Sequence, residues 1–308
     1  MRPRLHRRTF LKLSAALGAA AYPLGSAQDA LKSAEGPAIA STFPLPFPHR
    51  YFPNAEALLS RRLSAFDLLL VPAYAAAELI RRDALETIEG LPGRAHDPDG
   101  AYTMPHLTAV SAILYRDAQP RSLDDLWNAE TLWPDSSRLV IGTALLRRGY
   151  PLNDTHSGHL AQIENDLAAL RPRLLPDPEA GFRSGRGVFA LAPIPVGVDE
   201  ANPDADAPPP VRFATRAAAV GVMLPPEGAA LIEYDWVIPR GAPNLEFGPT
   251  FIANTEYAIL STQYASPPTP PVLFPTPDAP RLTPLTPLLA SALAQRAEIW
   301  SRVKSLNS

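Results

Sequence analysis

The chain has 308 residues, 28 basic against 31 acidic, 37 prolines and no cysteine. Without cysteine there is no disulfide, no thiolate metal site and no cysteine nucleophile. A slightly acidic balance argues against nucleic acid as a partner, and beyond residue 27 no apolar run is long enough to span a bilayer.

The first residues read as an export signal. His6-Arg7-Arg8-Thr9-Phe10-Leu11-Lys12 sets two arginines directly before the short apolar run Leu11 to Leu24, which ends in Gly25-Ser26-Ala27. Basic, apolar and small-residue regions in that order make a signal peptide. The paired arginines with Phe-Leu-Lys behind them point to the twin-arginine route. Cleavage after Ala27 removes Arg2, Arg4, Arg7, Arg8 and Lys12 and no acid. The 28 basic residues then become 23 against an unchanged 31 acidic ones, a net charge of −8. That charge is compatible with a cationic ligand, though net charge alone steers weakly. Proline, at more than twice its ordinary share of about 5%, crowds 203–210 and 267–287 and stiffens those loops.

In the remaining chain, Ile39 to Phe43 reads as a short strand and Asn54 to Leu63 as a helix with Asn54 as N-cap. Phe66 to Val71 is a continuous apolar run closed by Pro72, the pattern of a strand buried on both faces. Ala75 to Asp83 is helical, so strand and helix alternate and parallel pairing is expected. Ala109 to Tyr115 is a strand, Leu123 to Trp127 a short helix, and Arg138 to Arg148 and Leu160 to Leu170 are longer helices. Gly187 to Ala192 is a strand entered through Ser184-Gly185-Arg186-Gly187, followed by an acidic, proline-rich loop over 199–210. Ala230 to Ile238 is a strand, and Leu285 to Lys304 closes the chain as a helix. No internal repeat is present, and the length calls for more than one core.

Six segments, in order, resemble the periplasmic spermidine/putrescine-binding proteins, a branch of the bilobal solute-binding proteins of ABC transporters. They are Phe66-Asp67-Leu68-Leu69-Leu70-Val71-Pro72, Tyr102-Thr103-Met104-Pro105 with Ala112 to Tyr115, and Pro120 to Trp127. Ile141 to Tyr150 with Leu152-Asn153, the stretch Pro226-Glu227-Gly228 through Asp235-Trp236-Val237-Ile238-Pro239 to Asn244, and Glu298 to Lys304 complete the set. The resemblance implies a two-lobed α/β fold of the type II periplasmic-binding kind, with a hinge and an interlobe cleft. It places residues 38–110 and 236–279 in lobe 1, and 111–235 and 280–308 in lobe 2. It further implies an extracytoplasmic monomer that passes a small solute, a polyamine or another small cation, to a transporter permease without a cofactor.

The chain departs from the family in two places. The family opens with an aromatic-rich strand and a helix before the strand that Ile39 to Phe43 resembles, and 28–37 is too short for both. A shortened N-terminal lobe is therefore expected. At the helix that Arg138 opens, Ser136 and Leu139 stand where the family keeps carboxylates, and only Asp135 is close by.

Holding a polyamine takes carboxylates for the ammonium groups and aromatic faces for the methylenes. Glu233-Tyr234-Asp235-Trp236 is the best local candidate. Residues two apart in a strand share a face, so Glu233 and Asp235 point one way and Tyr234 and Trp236 the other. The position matching Asp235 binds an ammonium in the family, so Asp235 is expected to be the main anion of the cleft, with Glu233 beside it. Tyr74 follows a parallel strand, where α/β crevices form, and is expected across from them. Asp135, Ser136 and the late Tyr264 complete the expected ligand set. His156 and His159 lack a third ligand nearby and are not read as a metal site. The turn at Ser184 precedes its strand and so is no nucleophile elbow. With no Ser, His and acid set in view, an enzyme is not expected. Two other readings share the fold: a pocket drifted to another ligand, and an exported interaction protein without a transport role.

Overall fold

The computed structural model describes residues 37–306 apart from 46–47, 89, 92, 129, 199–210, 214–219 and 255–280. The signal segment and Tyr264 lie outside the described residues. In chain order, the first strands are β1 (Ile39–Ser41) and β2 (Arg50–Tyr51), followed by α1 (Ala55–Leu59), β3 (Leu68–Pro72) and α2 (Ala73–Arg81). The long strand β4 (Met104–Tyr115) leads to β5 (Leu132–Pro134), α3 (Ser137–Arg147), α4 (Ser157–Leu170), β6 (Arg173–Leu175) and α5 (Pro178–Arg183). Then come β7 (Phe189–Val198), β8 (Val211–Phe213), β9 (Gly221–Met223), β10 (Ala229–Val237), α6 (Phe247–Asn254), β11 (Leu282–Pro284) and α7 (Ala290–Ser305).

Eleven strands form one curled sheet in the order β2-β1-β3-β10-β4-β7-β5-β6, with β11 on β10, β8 on β7 and β9 on β4. Its two ends are parallel triads. In one, β1 pairs parallel with both β2 and β3; in the other, β5 pairs parallel with β6 and β7. Between them β10 runs antiparallel to β3 and β4, and β4 antiparallel to β7, while the short β11 joins β10 in parallel. The long strands β4 and β10 thus tie two α/β lobes together.

Each lobe has its own core. Leu58, Leu69, Val71 and Leu79 pack α1 and α2 onto β3. Trp133, Val140, Leu160, Leu167 and Trp300 pack β5, α3, α4 and α7. Every residue of β3 is buried, as its unbroken apolar sequence requires. Asn54 caps α1 by accepting from the Ala57 N–H at 2.7 Å, the role its side chain suits.

The stretch 28–36, expected to be too short for a further strand and helix, lies outside the described residues, and the first described strand is Ile39–Ser41. Ile39–Ser41 is an interior strand, with Arg50–Tyr51 on its outer side. The connection over 42–49 joins the two parallel strands with no helix among its described residues. Parallel neighbours usually need a longer crossover.

Candidate functional site

The carboxyl ends of parallel strands from both lobes converge on one cleft of about 200 Å³. Thr42 and Phe43 follow β1, Tyr74 follows β3, Ser136 follows β5, and Pro176 and Asp177 follow β6. Tyr51 of β2 and Ile232 and Tyr234 of β10 also line it. Crevices of open α/β sheets lie at such strand ends, where loops can project side chains without breaking the ladder. Pro44, Pro53 and Pro72 of the first lobe and Pro134, Pro176 and Pro178 of the second also line the cleft.

Three tyrosines give the cleft its character. The Tyr234 ring lies 5.2 Å from that of Phe43, tilted by 60°. Tyr74 lies under the Arg138 guanidinium, 4.8 Å from its ring centre. Tyr51 donates its hydroxyl to the Pro176 carbonyl across the cleft at 2.9 Å. Burial pushes all three phenols up from their usual value. For Tyr51 the neighbouring Asp177 carboxylate adds to this, for Tyr74 Glu56 adds, and for Tyr234 Tyr51 adds. All three therefore remain neutral O–H groups near neutral pH. The lobes are drawn together by the Tyr51 bond and by Asn54, whose Nδ2 donates to the Asp135 carbonyl.

Two carboxylates line the cleft. Glu179 is neutralised within α5 by Arg183, at 2.6 Å. Asp177 is the N-cap of α5, accepting from the Ala180 N–H through Oδ1 at 2.8 Å. Among the described residues it has no ion-pair partner, so its charge is available to a ligand.

The structure separates the residues expected from the sequence. Tyr74 and Ser136 line the cleft, although Ser136 spends its hydroxyl capping α3 at the Leu139 N–H. Asp235 and Glu233 share a face, as strand alternation requires, but that face is turned away from the cleft. Asp235 is fully buried, 2.9 Å from His96 Nε2 and 3.8 Å from Arg94 Nη1, while Glu233 meets Arg94 at 3.0 Å. The His96 contact is close but poorly aligned for a hydrogen bond. The expectation that Asp235 faces the cleft therefore needs correcting. Arg94 and His96 hold both carboxylates at the back of β10 and leave Tyr234 for the front. Asp135 does not line this cleft either. Its carboxylate is taken by Lys304 at 2.7 Å and by the Trp300 indole N–H at 3.3 Å. Tyr264 is outside the described residues.

Sequence reasoning missed Tyr51, Tyr234 and Asp177. For Asp177 a signal existed: Asp-Pro-Glu in Pro176-Asp177-Pro178-Glu179 is a capping residue followed by proline at the first helical position.

This geometry, two α/β lobes bridged by β4 and β10 around a cleft at parallel strand ends, defines the class: the fold of the bilobal periplasmic solute-binding proteins. Solved structures agree. A protein of Listeria monocytogenes described as a spermidine/putrescine ABC transporter is 19% identical, with a TM-score of 0.65 over 87% of this chain and 98% of its own. The TpPotD lipoprotein of Treponema pallidum is 20% identical, with a TM-score of 0.60 over 83% of this chain and 90% of its own. The spermidine/putrescine ABC transporter substrate-binding protein PotD of Streptococcus pneumoniae is 16% identical, with a TM-score of 0.57 over 88% and 99%. At these identities the likeness establishes the fold. No protein-family model matches the chain, and no curated protein matches it by sequence.

Proposed function

We propose that this chain is the extracytoplasmic solute-binding component of an ABC transporter and that it carries a small cationic solute to the permease. One observation carries the reading: an interlobe cleft, walled by Phe43, Tyr51, Tyr74 and Tyr234, with the Asp177 carboxylate beside Tyr51 and, among the described residues, in no ion pair. Aromatic faces favour a cation and its methylenes, and an unpaired carboxylate fixes its charge by a charge-assisted hydrogen bond. The solved neighbours described as spermidine/putrescine proteins support amines as the first ligands to test. With Glu179 neutralised, the cleft matches one positive group better than three, so putrescine or a monoamine should bind ahead of spermidine.

The lobes of this reading are residues 38–110 with 236–279 and residues 111–235 with 280–308, hinged on β4 and β10. The packing of α7 with α3 and α4 supports that division. Export by the twin-arginine route, from Arg7-Arg8, belongs to the same reading. Among the described residues no helix is long and apolar enough to cross a membrane.

The test is calorimetric titration of the chain lacking residues 1–27 with putrescine, spermidine and a monoamine, in the wild type and in Asp177→Asn. Binding in the wild type that weakens at least about tenfold in the variant, the worth of one charge-assisted bond, is expected. No heat from any amine at millimolar concentration overturns the cationic ligand. Equal binding by Asp177→Asn removes that residue as the anchor.

A further inference from the structure

A second groove lies beyond Tyr74, and its charge is the reverse of the cleft's. It has a volume of about 380 Å³ and is walled by α1 and α2 on one side and by α3 and α7 on the other. It shares only Ala55 and Tyr74 with the cleft. Four arginines line it, Arg81, Arg82, Arg138 and Arg296, against two acids, Glu56 and Glu78. Glu78 is engaged by Arg81 and Arg82 on its own helix. Glu56 accepts a long 3.5 Å bond from Ser137 and, among the described residues, is within ion-pair distance of neither Arg138 nor Arg296.

Those two arginines stand out. Each is 1% exposed. Each is anchored by one nitrogen alone: Arg138 donates through Nη2 to the Thr286 carbonyl and, at 3.4 Å, to Asn153, while Arg296 donates through Nη2 to the Asp154 carbonyl at 2.8 Å and that of Leu152 at 3.3 Å. Nε and Nη1 of both have no hydrogen-bond partner among the described residues. The two cations also sense one another. Burial first, and then Arg138, bring the Arg296 guanidinium down to about 10. Buried donors on a charged group are costly to leave unmade. Two such groups around one groove call for acceptors that the described chain does not supply. A planar guanidinium fork suits the paired oxygens of a carboxylate or a phosphate-like anion.

We propose that this groove binds a small oxyanion between Arg138 and Arg296. Both arginines stand on the α3 and α7 wall, so the bound anion is held from that side of the groove. The site is separate from the amine cleft, and its test involves no amine.

Thermal unfolding of the full chain would be followed while sodium phosphate, sulfate, acetate or succinate replaces sodium chloride at constant ionic strength. A saturable rise in Tm over the chloride blank is expected with at least one oxyanion. The tetrahedral and carboxylate arms show which geometry the groove prefers. Arg138→Gln and Arg296→Gln should each weaken the apparent Kd at least about tenfold, one charged hydrogen bond's worth. Arg240→Gln, on the surface ion pair with Asp83, should leave it unchanged. If either glutamine variant fails to fold, Arg296→Lys keeps the charge, loses the fork and gives the same readout. A wild type with no saturable shift from any oxyanion, or arginine variants that shift as the wild type does, overturns the site.

Discussion

His106 makes the stability of this fold depend on pH in the mildly acid range. It sits on β4 where the pairing with β10 slips between Tyr234 and Asp235, and its ring lies 4.8 Å from that of Trp236. The Trp236 indole N–H donates to His106 Nδ1 at 2.7 Å. Nδ1 must then be the acceptor, which assigns the proton of the neutral ring to Nε2. A second proton would land on Nδ1, facing the indole N–H, and would place a charge among apolar neighbours. Burial accordingly lowers the His106 pKa to about 3. An unfolded histidine titrates near 6.5. Between these values the unfolded chain binds a proton that the folded chain refuses, so stability falls as pH falls. At about 1.4 kcal/mol per pH unit, going from pH 7 to pH 5 should cost about 2 kcal/mol through this one ring. Urea unfolding at pH 7, 6 and 5 measures it in the wild type and in His106→Phe, which keeps an aromatic ring against Trp236. The variant should lose the part of the pH slope that belongs to this site, whatever its stability at pH 7. An identical slope in both proteins refutes the argument.

Asp235→Asn should destabilise the protein by about 3 kcal/mol, because Arg94 and His96 then face a neutral group in a buried site. Amine affinity should not change, and lost binding at unchanged stability would return Asp235 to the ligand site. Replacing both Arg7 and Arg8 by Lys should trap the precursor in the cytoplasm. Cell fractionation checks this, and a normal extracytoplasmic yield would rule out the twin-arginine route.

The parts of the fold that were legible are those whose pattern is long. The apolar run at Phe66 to Val71 became β3 (Leu68–Pro72), and Arg138 to Arg148 became α3 (Ser137–Arg147) within one residue. Three-residue strands such as β5 and β6 carry too few side chains to show a period. β4 begins at Met104, five residues before the expected start, because the slip at His106 lets the ladder run past Pro105. The hardest feature was the face of β10. Alternation correctly paired Glu233 with Asp235, but alternation cannot choose a side. That choice rests on Arg94 and His96, more than a hundred residues earlier in the chain. Ion pairs of such long range leave no local trace in sequence.

The two bonds that draw the lobes together have a common property: Tyr51 and Asn54 of the first lobe both donate to main-chain carbonyls of the second, those of Pro176 and Asp135. A carbonyl is present whatever residue bears it. The second lobe can therefore exchange side chains along 135–136 and 176–179 while these two bonds persist. These two bonds are written in side chains of the first lobe, whereas Asp177, the carboxylate offered to a ligand, belongs to the second. A lineage, or an engineer, can retune the cleft at Asp177 or Ser136 without rebuilding either bond.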